Sequence, residues 1–183
     1  TPKGMNGAKF RARYGVVGLS IVLKDFVVEG LNEAGLSAGL FYFPHYGNYP
    51  VYDAKQNTRT VADLQLVAWM LSQFSTIEEI KAAMQDIRVV SVDTTGASST
   101  VHWRIGDANG RQVVLEFVDG VPCFYENEIG VLTNSPGFPW QMTNLNNYVN
   151  LYPGGAEAHQ LGGVTIFPFG AGSGFQGIPG DVT

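Results

Sequence analysis

Apolar positions along the chain change their period three times. Residues 14–23 are almost uniformly apolar and rich in β-branched side chains, with no 3.6-residue recurrence, which predicts a buried strand. Residues 27–31 and 36–43 predict two more strands. Asn32-Glu33-Ala34-Gly35 joins them, and its closing glycine suits a tight reversal. The period then lengthens. Leu64, Val67, Ala68 and Leu71 share one face of a helix predicted over 61–74. Ser75 and Glu78 have capping-box spacing, and Ile77, Ile80, Met84 and Ile87 form the stripe of a second helix. From Val101 the period falls to two. Val101, Trp103 and Ile105 alternate with His102 and Arg104, Asn109-Gly110 signals a hairpin, and Val113, Leu115 and Phe117 alternate again. Asp119-Gly120 marks a second turn, and 122–125 and 129–133 continue the meander. A short helix carrying Trp140, Leu145 and Tyr148 is expected after Pro139. Strands, a helix pair and an antiparallel meander, without strict βαβ alternation, predict the α+β class.

Composition narrows the function classes. The 183 residues fit one domain with a real core, 45% being hydrophobic and only 15% charged. The formal charge is −5, and no Lys or Arg run breaks the pattern, so no nucleic-acid partner is expected. No apolar stretch approaches the roughly 18 residues of a membrane span, so no membrane partner is expected. The first ten residues do not read as a signal peptide. Cys123 is the single cysteine, which excludes an internal disulfide and leaves the compartment open between bacterial cytoplasm and periplasm.

The residues that bear chemistry are few. His45, His102 and His159 have no metal-ligand spacing with one another or with Cys or Asp, so no metal site is expected. His102 reads as a sheet-face residue. His45 lies in an aromatic loop with Phe41, Tyr42, Phe43, Tyr46 and Tyr49, where lining a pocket and filling a loop are equal readings. Residues 170–174 are glycine-rich but lack the Lys-Ser/Thr ending of a phosphate loop, and read as a turn. Cys123 sits in an apolar strand, where a thiol stays neutral and inert. Thr133-Asn134-Ser135 closes an apolar run before Pro136. Strand ends at a sheet rim often carry function, yet spacing alone reads Asn134 as the cap of a turn.

Several motifs, taken together and in order, carry a resemblance. Val28-Glu29-Gly30-Leu31-Asn32-Glu33-Ala34-Gly35-Leu36 is similar to a (D/E)G-apolar-NEKGL segment, and Phe41-Tyr42-Phe43-Pro44 to the strand end that follows it. Gly130-Val131-Leu132-Thr133-Asn134-Ser135-Pro136 resembles a GV(L/M)TNSP segment, trailed by Trp140 and Thr143-Asn144-Leu145. Gly172-Ser173-Gly174 and Gly177-Ile178-Pro179-Gly180-Asp181 resemble a G-x-G…G(L/I)PGD loop. The family so resembled is that of choloylglycine hydrolases and penicillin V acylases, from about residue 14 to residue 183.

The resemblance implies an N-terminal-nucleophile αββα sandwich of two antiparallel sheets, incomplete in this chain, with 1–183 as a single partial domain. It implies hydrolysis of a linear amide by an N-terminal Cys, whose free α-amino group is the base, through an acyl-enzyme. That Cys, with the Arg and Asp that follow it, is expected upstream of Thr1, and a further Arg beyond Thr183, so the chain alone is expected to be inactive. Asn134 matches the oxyanion-hole Asn, and Tyr42 matches the position whose backbone N–H completes the hole and which meets substrate. Tyr rather than Asn at 42 favours the penicillin V acylase type over the bile salt hydrolase type. Phe41 and Phe43 are equally well read as acyl-chain neighbours and as core. The partners implied are a penicillin V, conjugated bile salt or N-acyl homoserine lactone substrate and a second copy of the chain as a homo-oligomer. No cofactor is implied. A non-catalytic truncated domain with a binding or assembly role is the alternative.

Overall fold

The computed structural model describes residues 6–92, 100–148 and 157–167, and divides into two compact units, Thr1–Phe138 and Pro139–Thr183. The first unit holds one six-stranded antiparallel sheet. Its strands are β1 (Val16–Ser20), β2 (Val27–Asn32), β3 (Ser37–Tyr42), β6 (Val101–Gly106), β7 (Gln112–Val118) and β8 (Val121–Glu126), adjacent in that order. Between β3 and β6 the chain inserts β4 (Thr60–Ala62), α1 (Leu66–Gln73), α2 (Ile77–Ala83) and β5 (Arg88–Val90).

The alternation read between 101 and 117 decides where the core lies. Successive side chains of a strand face opposite ways. Val101, Trp103 and Ile105 therefore join Val113, Leu115 and Phe117 on one face, against Leu66, Met70 and Leu71 of α1 and Ile77 and Ile80 of α2. A side chain of this size contributes roughly 1.5–3 kcal/mol when fully buried. The opposite face is apolar over a smaller area, where Val114 meets Leu132 and Phe138.

The Gly-Leu-Asn-Glu-Ala-Gly motif has a structural cause. Asn32 is buried at the end of β2. Its Oδ1 accepts from the N–H groups of Ala34 and Leu36, which closes the turn, and Gly35 takes φ +84°. Its Nδ2 donates to the carbonyls of Leu71 and Phe74, the C-terminal end of α1. Two strands and a helix are thus joined through one amide. Gly30 is needed for a different reason. A Cβ there would lie 2.7 Å from the Val17 carbonyl and 2.9 Å from Leu71 Cδ1.

The structure departs from the sequence-based elements at five places. The first strand is shorter than 14–23 and is exposed along its whole length; among the described strands it pairs with β2 alone, at the edge of the sheet. The helix expected over 61–74 begins later. Val61 and Ala62 lie in β4, which pairs in parallel with β5, and a single 3₁₀ turn (Asp63–Gln65) precedes α1. The cap of α2 is Thr76, whose Oγ1 accepts from Glu79 N–H, one residue beyond the expected Ser75–Glu78 pair. Glu79 instead reaches back to the Ser75 N–H. Residues 129–133 form no strand, because Gly130 has φ +72° and Asn127 turns the chain. Finally, β9 (His159–Leu161) and β10 (Val164–Ile166) form a hairpin in the second unit that the pattern missed. The helix expected after Pro139 is present as α3 (Phe138–Asn144). The glycine-rich 170–174 and the 177–181 motif lie outside the described residues.

Candidate active site

Along β3 successive amides point to opposite neighbours. Phe43 N–H donates to the Thr100 carbonyl at 2.7 Å, on the β6 side. Tyr42 N–H therefore points toward β2, whose ladder with β3 ends at Gly39. Among the described residues no strand reaches Tyr42 there. The side chain of Asn134 does, and its Oδ1 accepts the Tyr42 N–H at 3.1 Å. With the carbonyl end of the amide so engaged, the NH₂ end is the donating group. Both residues are exposed, Tyr42 to 53%.

The segment after β8 presents Asn134 because it is fastened along its length. Asn127 Oδ1 accepts Gly130 N–H and Asn127 Nδ2 donates to the Val131 carbonyl, which makes a tight turn. Leu132 is buried on the sheet. The Thr133 carbonyl lies 2.9 Å from His102 Nε2, and Ser135 Oγ donates to the Pro44 carbonyl at 3.1 Å. Phe138 N–H donates to Glu116 Oε1 at 2.8 Å.

Beside Tyr42 lies a cavity of about 250 Å³, walled by Ile21, Leu40, Leu64, Val101 and the buried Asp63. Asp63 Oδ1 accepts from the N–H groups of Leu64 and Val92, both at 2.9 Å. Burial nevertheless raises its pKa to about 6, those hydrogen bonds only partly offsetting the loss of solvent. Tyr49, whose hydroxyl bridges the N–H and carbonyl of Val101, is held well above the usual phenol range by burial and then by the Asp63 charge. A larger cleft of about 950 Å³ runs along residues 7–12, β1 and α1, and includes neither Tyr42 nor Asn134.

The structure thus brings two sequence-selected residues together and leaves the others apart. His45 occupies an exposed turn with φ +70°, and His159 is exposed in the second unit. Cys123 is half-buried in the edge strand β8, its Sγ 3.7 Å from the Val121 carbonyl. Among the described residues no cluster of three or more His, Cys, Asp or Glu could hold a metal, and no helix is long and apolar enough to cross a membrane. Sequence reasoning missed the pair His102–Glu116, which lie symmetrically about the Asn109-Gly110 hairpin. A lone Glu inside the apolar run 113–118 was the available sign.

A family model described as linear amide C–N hydrolases, choloylglycine hydrolase family, matches residues 1–183. This chain belongs to the choloylglycine hydrolase family. It is 33% identical over 182 residues to a bile salt hydrolase/transferase of Clostridium perfringens, covering 97% of this chain and 55% of that protein. A solved structure of a variant conjugated bile acid hydrolase from the same organism superposes with a TM-score of 0.74 at 32% identity, over 95% of this chain and 54% of that one. The penicillin V acylase of Agrobacterium tumefaciens superposes with a TM-score of 0.66 at 28% identity, over 79% and 43%. The family's N-terminal-nucleophile fold is therefore the fold of this chain, in part. It spans about half the length of these choloylglycine hydrolase relatives.

Proposed function

We propose that the complete protein hydrolyses linear amides through an N-terminal Cys outside this chain, with Asn134 and Tyr42 forming its oxyanion hole. The observation that carries this reading is the 3.1 Å bond between Tyr42 N–H and Asn134 Oδ1. It brings the Asn134 side-chain amide and the Tyr42 backbone amide to one exposed point of the sheet rim, the Tyr42 hydrogen being held by Asn134 Oδ1 until an oxyanion shares it. The thiol attacks the amide carbonyl and its proton passes to the α-amino group, whose unperturbed pKa of ~8 suits that task. The carbonyl oxygen gains negative charge at that moment. Asn134 Nδ2 donates to it, and the Tyr42 hydrogen is shared between this oxygen and Asn134 Oδ1. Collapse expels the amine with the proton, and water then hydrolyses the thioester. The apolar cavity beside Tyr42 suits the acyl group.

The substrate is an apolar acyl amide such as penicillin V or a conjugated bile salt. Tyr42 favours the acylase type, whereas identity runs higher to bile salt hydrolases than to penicillin V acylase. Hydrolysis of penicillin V and of glycine-conjugated bile salts by the purified complete protein tests the reading. Turnover of either supports it. Turnover of neither, by folded protein with a free N-terminal Cys, overturns it in favour of a binding role.

A further inference from the structure

His102 touches both arms of the site just described without reaching its donors. Its ring is fully buried in β6, and Glu116, opposite it on β7, is 2% exposed. Nε2 lies 2.9 Å from the Thr133 carbonyl, which has only lone pairs to offer, so Nε2 must carry hydrogen. Nδ1 lies 2.9 Å from Glu116 Oε1. With Nε2 committed, one proton must lie between Nδ1 and Oε1, and either placement completes the bond. The same Oε1 accepts Phe138 N–H. Glu116 thus fixes the orientation of the ring while it anchors the far end of the segment that carries Asn134.

The faces of the ring are held as firmly. Phe43 stacks on it with centroids 4.1 Å apart and planes 7° apart, and Phe41 meets it edge-on at 6.1 Å. Phe41 and Phe43 flank Tyr42, and Thr133 precedes Asn134. The imidazole is therefore the spacer between the two strands of chain that carry the proposed donors. A polar pair kept only to fill a core would satisfy itself. This one is bonded to backbone at both ends of 133–138.

We infer that His102 is a positioning residue for amide hydrolysis, setting Asn134 against Tyr42 through the Thr133 carbonyl, with Glu116 holding the ring. The inference rests on the oxyanion reading of Asn134 and Tyr42. Buried groups so arranged have little freedom to relax, and a misplacement near 1 Å at a catalytic group can cost about 10²-fold in rate.

The test uses the complete protein. Asn at 102 can reach Glu116 from the Nδ1 position but not Thr133, whereas Gln can place an NH₂ near the Nε2 position. His102→Asn should lower kcat about 10²-fold with KM within about twofold, and His102→Gln should recover much of it. In an Asn134→Ala background, His102→Asn should cost little more, since the donor it positions is already gone. A long-range ¹H–¹⁵N spectrum of the unaltered protein should show Nε2 protonated, which stands even where the His102 variants fail to fold. An unprotonated Nε2, multiplicative losses in the double variant, or an unchanged kcat in His102→Asn beside a depressed Asn134→Ala would each overturn this inference alone. An unaffected Asn134→Ala would sink the oxyanion reading and take this inference with it.

Discussion

Tyr42 gives its backbone N–H to the side chain of Asn134, a residue 92 positions further along the chain. The bond fixes which end of the Asn134 amide donates. Asn134→Ala in the complete protein should lower kcat about 10²–10³-fold, as for the loss of one oxyanion donor, with little change in KM. Asn134→Asp should be at least as damaging, because an ionised carboxylate cannot donate and repels the oxyanion. Steady-state kinetics per folded active site, read beside the melting temperature, checks this. A lowered melting temperature with unchanged kcat would make Asn134 a turn residue only.

Asn32 should act on stability. Its side chain makes four hydrogen bonds inside the protein, two to turn amides and two to the end of α1. Asn32→Ala leaves buried N–H and carbonyl groups unsatisfied and should cost roughly 2–4 kcal/mol. Asn32→Asp keeps the acceptor but turns an oxygen toward the Leu71 and Phe74 carbonyls, and should cost at least as much. Urea unfolding midpoints of the three proteins give the comparison.

Asp63 predicts a pH dependence of opposite sign to that of a salt-bridged acid. The native carboxyl keeps its proton up to about pH 6, whereas the unfolded one releases it near the ordinary value of 3.8. Between these values the native state binds more protons, so this group's contribution to stability falls as pH rises. Asp63→Asn keeps a carbonyl for the Leu64 and Val92 amides without the buried charge. Its stability relative to the native protein should improve by about 2–3 kcal/mol between pH 4 and pH 7. Equal differences at the two pH values would refute the assignment.

Cys123→Ser should leave kcat within about twofold in the complete protein, because the thiol lies in the edge strand β8 and its Sγ contacts the Val121 carbonyl. Activity lost from a folded Cys123→Ser protein would reopen the question of the nucleophile.

Legibility followed the range of the physics. The alternation of Trp103, Ile105, Leu115 and Phe117 reported a face buried under α1 and α2, so the central strands could be read. Helix starts could not, since Val61 and Ala62 fit an apolar stripe yet are claimed by parallel pairing with Val89 and Val90, a contact across the whole helical insertion. The apolar run at 129–133 imitated a strand, but Asn127 and Gly130 bend it before a ladder can form. Asn134 and Tyr42 were accessible through motif resemblance alone, since spacing could not distinguish a donor from a turn cap. His102 was visible as a sheet-face residue. Its partner Glu116 required the hairpin register, and its contact with Thr133 required a loop path that no local pattern encodes.

Val16, Val17 and Leu19 stand in solvent on β1, whose outer margin has no partner among the described strands. An uncovered apolar margin of this kind is a template for strand addition. Expressed by itself, the chain would present that template to other copies, and self-association along β1 would compete with correct folding. The practical consequence is for handling: a charge introduced at Val17 should raise solubility while leaving the buried face of the sheet untouched.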